Sequence, residues 1–420
     1  MFEFFKGMIE KVGVKLVSDF TEKLIDFIKG VKENSKESNN DNGENFIKIG
    51  SSGDRAQIGS SGDGAQIGSS GDGAQIGSSG DRAQIGSSGY RAQIGSSGDG
   101  AQIGSSGDGA QIGSSGYRAQ IGSSGDGAQI GSSGDGAQIG SSGDGAQIGS
   151  SGDGAQIGSS GYRAQIGSSG DGAQIGSSGY RAQIGSSGYR AQIGSSGDGA
   201  QIEISGDNSV GFACGYKSMI KGKKGTWFSL AEYKKDDKGI WVPVFAKSAQ
   251  IGNKDYKDFN GKTLKSKVYY ILWNKEFYPV ENYDGLWTIK LSEHKRENIT
   301  IIKAIDIDDI YYDDEIKPIY IAKENKLSAH GYTVREAIED LTLKKLDNIN
   351  ADEIVKTIKE TGVVTRSQYR AITGACSFGT NKFCEQHNIQ NLEEIKIEEL
   401  RKILVDDYGA ERFWKLIDGE

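Results

Sequence analysis

Cys376, Cys384 and His387 fall within twelve residues, and thiolate and imidazole are the side chains that bind zinc. A closed zinc site needs four donors. No further Cys or His lies near these three, so the cluster reads as cysteines packed in a small helical domain. Aspartate raises a second chemistry. It recurs upstream in a Gly-rich unit of nine residues, the period of calcium-binding β-rolls. Those rolls use G-G-x-G-x-D-x-U-x. Here the unit is G-S-S-G-D-G-A-Q-I, with the Asp one place early. Five units replace it by Tyr followed by Arg: Tyr90-Arg91, Tyr117-Arg118, Tyr162-Arg163, Tyr180-Arg181 and Tyr189-Arg190. A guanidinium in the turn repels a dication, so the expectation is a metal-free roll with no cofactor. Tyr and Arg dominate interface hot spots, which makes these ten residues the candidate interaction site. The plainer reading is a tolerated turn substitution, with Tyr stacking and Arg solvated. The Tyr units fall in odd and even repeats alike, so they do not line one face.

Other chemistries find little support. No Gly-rich loop forms a phosphate-binding pattern, and no Ser/His/Asp set has a recognisable motif. His330 precedes a glycine before a helix and reads as an exposed turn residue. The stretch TRSQYRAITGACSFGTNKFCEQHN could pass as a helix-turn-helix with Thr380 capping the second helix. Only Arg366, Arg370 and Lys382 would face DNA. The net charge is −8 and no segment is strongly basic, so nucleic acid is not an expected partner. Mimicry of DNA would need denser negative charge. Ice binding by Ser ladders would need export, and the apolar N-terminus, broken by Glu3, Lys6, Glu10 and Lys11, reads as a poor signal peptide. The expected location is the cytoplasm of a bacterial host. No apolar run approaches the length of a transmembrane helix.

The elements that carry these residues follow from period. Residues 2–33 repeat apolar side chains at helical spacing and predict an amphipathic helix, a candidate N-terminal cap. A polar linker follows to residue 45. Seventeen copies of I-G-S-S-G-[D/Y]-[G/R]-A-Q then fill 49–201 and hold 44 of the 63 glycines. In the alternation A-Q-I, Ala and Ile point one way and Gln the other. Gly-Ser-Ser-Gly supplies turn chemistry. Each unit is thus a half-coil, two units close a coil of eighteen residues, and the array predicts about eight coils. A flexible Gly/Ser linker is the competing reading, because Ala and Ile alone bury little per unit. The frame continues through 202–228 with larger side chains, as a terminal cap requires.

The fold class is therefore mainly β: a parallel β-solenoid led by a helix, then a small α/β region and an α-helical C-terminal domain. The expected divisions are 1–45, 46–228, 229–282, 283–348 and 349–420. Thr333 with Glu336 predicts a capping box, and Gly362 and Gly409 predict helix C-caps.

Several stretches resemble a family of uncharacterised bacteriophage and prophage proteins, mostly of Gram-positive bacteria. They are MIEKVGVKLVSDFTEKLIDFIK with ENSKESNN, GDNSVGFACGYKSMIKGKKGTWFSLAEY, KSKVYYILWNKEFYPVE and AHGYTVREAIEDL. ITGACSFGTNKFCEQHN is similar to a module recurrent in phage proteins. The resemblance implies a phage-associated protein and carries over no catalytic residue. The resulting expectation is a non-enzymatic structural or interaction protein with a protein partner. The alternatives are a trimeric virion fibre or adhesin component, with the roll as a homo-oligomer, and an enzyme seated in 229–420.

Overall fold

The computed structural model describes residues 38–39, 45–46 and 48–419, apart from 284, 313–316, 346–350, 376, 390–393, 406 and 408. The helix expected over 2–33 lies outside the described residues. The chain divides into two compact units, 1–278 and 279–420.

In the first unit, a two-residue ladder (β1, Ser38–Asn39; β2, Asn45–Phe46) precedes a run of four-residue strands. These recur every nine residues from Lys48–Ser51 (β3) to Met219–Gly222 (β22). Each strand pairs in parallel with the strand two units away: Gln111 with Gln93 and Gln129, Ile112 with Ile94 and Ile130. Odd-numbered strands form one sheet and even-numbered strands the other. The result is a parallel β-solenoid of about ten turns, eighteen residues to a turn.

The strand is Q-I-G-S, not A-Q-I. Ile and the first Ser point inward with the Ala of the preceding corner and Gln lies on the outer face, while the strand Gly is open on the even sheet and mostly buried on the odd one. From Ala65 and Ile67 onward these Ala are fully buried and the Ile nearly so, and they form one continuous core. The first serine belongs to the strand because the backbone ladder does not stop at Ile. It runs on through the corner, where Ser115 N–H donates to Ser96 O at 3.0 Å and Gln111 N–H to Ala92 O at 2.8 Å. A turn hydrogen bond closes the corners at Ala56, Ala65 and Ser218, as from Ala65 N–H to Gly62 O.

The inward serines are the weak point of this core. The hydroxyls of Ser78, Ser96, Ser123, Ser132, Ser141, Ser150, Ser159 and Ser168 are buried without a hydrogen-bond partner. Burying an unpaired hydroxyl costs free energy that an apolar group of similar size does not. Ser132→Ala is therefore expected to leave stability unchanged or raise it by about 1 kcal/mol, read from denaturant unfolding.

The stack ends in larger side chains. In β21 (Val210–Ala213), Gly211 takes the Ile position, because the Ile204 and Ile220 side chains already fill the space. Ser209 and Ser218 replace the corner Ala, and their hydroxyls accept from Ala191 N–H and Ala200 N–H of the coil before. β23 (Trp227–Lys235) extends the odd sheet and turns back antiparallel into β24 (Trp241–Gln250). β25 (Tyr269–Trp273) pairs antiparallel with β22 on the even sheet. Phe228, Tyr270 and Phe277 pack ring to ring over the last coil, so the core runs on beyond residue 228.

The second unit is an antiparallel meander with helices. β26 (Glu276–Tyr283) leads into β27 (Leu286–Arg296), β28 (Ile299–Asp306), α1 (Asp309–Tyr312), β29 (Ile319–Glu324) and β30 (Leu327–Gly331). Adjacent residues in a strand serve opposite faces. Ile301 and Ala322 pack with Ala337 and Leu341 of α2 (Val334–Lys345). Ile302 and Ile321 pack with Phe378. A helical layer follows: α3 (Ala351–Thr361), α4 (Arg366–Thr373), α5 (Ser377–Gln386), α6 (Ile397–Ile403) and α7 (Ala410–Asp418), with β31 (Val363–Thr365) and β32 (Glu394–Lys396) paired between them. Ile358, Ile372, Leu400 and Phe413 form its core.

Local signals in this unit fare unevenly. Thr333 caps α2 by accepting Glu336 N–H, while the Glu336 carboxylate reaches Tyr332 N–H. Gly362 ends α3 at φ +69°. Gly409 does not end a helix. α6 stops at Ile403, Leu404 turns into the core, and Gly409 instead precedes α7 at φ +81°.

Candidate functional site: the corners of the coil

Each corner presents two variable residues. The first, Asp or Tyr, stands just before the second, Gly or Arg. The second has positive φ at every copy, +53° to +56° for Arg and +64° to +67° for Gly. Left-handed backbone costs a non-Gly residue about 1–2 kcal/mol, which explains why Gly is the commoner choice. After Tyr the choice is always Arg, and the geometry supplies a reason. The Arg91, Arg118, Arg163, Arg181 and Arg190 guanidiniums lie over the ring of the preceding tyrosine, 4.8–5.2 Å from its centroid. A cation–π contact of this kind returns about 0.5–1 kcal/mol at an exposed site and offsets much of the backbone cost.

Where the first residue is Asp, its carboxylate has a structural partner. Asp72 N–H donates to the Asp54 Oδ1, Tyr90 N–H to Asp72, and Tyr162 N–H to Asp144 at 2.8 Å, always one coil apart. The same bond is made at the opposite corner, from Asp81 N–H to Asp63. Aspartate here is a rung between coils. Asp144→Ala is expected to cost about 1 kcal/mol, the ordinary net value of one hydrogen bond, in the unfolding of the full chain. Melting is expected to be the same with calcium as with a chelator, because this Asp oxygen is already held by a backbone donor. Among the described residues, no group of three or more His, Cys, Asp or Glu side chains is placed to hold a metal ion.

The candidate residues separate onto two edges. Corners 18 residues apart stack, so Tyr90, Tyr162 and Tyr180 share one edge, and Tyr117 and Tyr189 share the other. Tyr162 and Tyr180 occupy adjacent coils and stack at 5.5 Å with their planes 13° apart. The first edge continues into the cap, where Tyr216 stacks on Trp241 at 4.6 Å and meets Tyr233 edge-on. Lys217 lies over Tyr216 and Lys235 over Trp241, so the pairing of cation and ring persists there. The tyrosines at 90, 117, 180 and 189 remain 39–47% exposed, and they are the large hydrophobic side chains that the array exposes. The cap aromatics were invisible to a reading of the array alone. Tyr216 at the array's Asp/Tyr position was the available signal.

The remaining candidates are structural. Cys376 lies outside the described residues. Cys384 is buried in α5, and burial pushes its thiol up; His387 packs its ring on Phe383 at 4.6 Å. Burial likewise pushes the Cys214 thiol up to about 11, which suppresses thiolate chemistry. His330 is not an exposed turn residue. It sits in β30, 4% exposed, with its ring against Phe378, because β30 runs through the two residues expected to form the turn. Thr380 does not cap α5, which begins three residues earlier at Ser377; Thr380 is buried within the helix. All three cations of the supposed helix-turn-helix are engaged internally, Arg370 with Asp340, Lys382 with Asp306 and Arg366 with Asn381.

Fold and corners together define the class: a parallel β-solenoid protein of nonapeptide half-coils, with Asp rungs and Tyr–Arg corners on its two edges. No protein-family model, curated protein or solved structure matches the sequence. No helix among the described residues is long and apolar enough to cross a membrane.

Proposed function

We propose that this chain is a non-enzymatic structural or interaction protein of phage or prophage origin. The solenoid serves as scaffold and spacer, and the modules after it bind a protein partner. The observation that carries this reading is how the polar groups of the array are used. Asp carboxylates, Ser and Gln amides and corner carbonyls hold one coil to the next, and the variable corner positions expose Tyr and Arg, residues of recognition rather than of bond chemistry. The phage association rests on the sequence resemblance. The test is affinity purification of the full chain from lysogenic or infected bacterial cells. Specific recovery of a phage-encoded or host protein supports the reading. Recovery of none, together with turnover of a small molecule by the purified chain, would replace it with the enzyme alternative.

A further inference from the structure

We infer that the nine-residue unit is interchangeable between the two sheets. Unit number then sets both the length of the stack and the edge on which each upstream Tyr–Arg corner stands relative to the cap. The inference stands on coil topology and holds whatever the chain binds.

Three observations carry it. The strands of both sheets have the same residues and the same in-register pairing, Gln to Gln and Ile to Ile at eighteen residues. The corners are equally alike. Asp81 N–H bonds Asp63 at one edge as Asp72 N–H bonds Asp54 at the other. A Cβ on Gly80 would meet Gly62 O at 2.1 Å, as one on Gly71 would meet Gly53 O at 2.0 Å. Finally, the cap rests on ordinary units. β20 (Gln201–Ile204) pairs with Gln183–Ser186, and β21 pairs with Gln192–Ser195. Both supports are Q-I-G-S, so the cap meets a kind of unit and not a particular number of them.

Removing two units therefore shortens the stack by one strand spacing, about 4.8 Å, and leaves every residue on its own sheet. Removing one unit does something different. The cap keeps an equivalent support, but every upstream unit exchanges sheets. With 130–138 deleted, Tyr117 joins the edge of Tyr162 and Tyr180, and Tyr90 moves to the edge of Tyr189. Loss of a single repeat would regroup the exposed tyrosines without substituting any of them.

Disulfide trapping distinguishes the outcomes. Outward Cα atoms on neighbouring parallel strands lie about 4.8 Å apart, within disulfide range. In the full chain Gln129 pairs with Gln147, so Q129C/Q147C is expected to oxidise to an internal disulfide and Q120C/Q147C is not. In the chain lacking 130–138, residues 120 and 147 become eighteen apart, so the expectation reverses: Q120C/Q147C cross-links and Q129C/Q147C loses its cross-link. The readout is the mass of the peptide between Arg118 and Arg163 after alkylation, which contains both cysteines. A deletion chain that keeps the Q129C/Q147C bond overturns the inference. So does one that loses its β circular-dichroism signal, whether or not deletion of eighteen residues is tolerated. Duplication of 130–138 is the second variant, and it must fold and move upstream corners in the same way.

Discussion

Gly143→Ala is expected to destabilise the solenoid by on the order of 3 kcal/mol, while Gly149→Ala, six residues away, stays within about 0.5 kcal/mol of the parent. Both glycines belong to the same repeat pattern and both substitutions add one methyl group. A Cβ on Gly143 would lie 2.0 Å from Gly125 O and 2.5 Å from its carbonyl carbon, one coil below. These are backbone atoms of a stacked corner. They can move away only by opening the ladder that joins the coils, so the strain has no cheap outlet. The φ of Gly143 lies outside the left-handed region, so contact rather than backbone conformation is the objection. Gly149 faces outward from its strand with nothing within 4 Å of a Cβ. Far-UV circular dichroism during denaturant unfolding of the two variants checks the contrast. Equal stability of the pair would show that the corners do not stack this closely.

Lys382→Met is expected to cost the second unit about 3–5 kcal/mol, the usual consequence of leaving one member of a buried ion pair behind. Lys382 Nζ on α5 donates to Asp306 Oδ2 at 2.6 Å at the end of β28, and Asp309 lies 3.5 Å from the same ammonium. Asp306 is 1% exposed. Burial pushes its carboxyl up to about 6 despite the attraction of Lys382, and Asp308 adds to the rise. Burial works against the charged form of Lys382, but Asp306 and Asp309 outweigh it and hold that form. The direction of the pH effect follows. The folded pKa of Asp306 is above its unfolded value of 3.8, so folding favours the protonated acid. Its contribution to stability is fullest below about 4 and declines as pH rises through the window from 3.8 to about 6. Without the ammonium the carboxyl rises further. The deficit of Lys382→Met should therefore be largest at pH 8 and shrink toward pH 5, where the acid can stay neutral. Thermal melts of parent and variant at the two pH values decide this. A deficit of the same size at both would mean that the pair contributes by packing alone.

The array was legible because its information is local and repeated. A nine-residue period with two inward apolar residues requires a half-coil, and parity alone assigns Tyr90, Tyr162 and Tyr180 to one edge and Tyr117 and Tyr189 to the other. The inward serine was not legible. By composition Gly-Ser-Ser-Gly is a turn, and only the parallel ladder extends the strand through its first serine. The stack also runs to about ten turns rather than eight, because the cap strands join it. In the second unit Thr333 could be read as a cap from four neighbouring residues. Gly409 could not, because whether a helix ends at Leu404 or five residues later depends on which side chain the core accepts.

What the sequence determined by itself was therefore the repeating unit, the direction of its Ala and Ile, and the restriction of variation to the corners. These follow from strand alternation and turn chemistry, both set by residues within one unit. The tertiary structure decided what stands one coil or more away. The Asp carboxylate became a rung eighteen residues along, the corner glycine met a carbonyl eighteen residues back, and Lys382 found Asp306 across 76 residues. Contacts at such separations depend on how coils and helices stack in space, and no local pattern of residue types encodes that stacking.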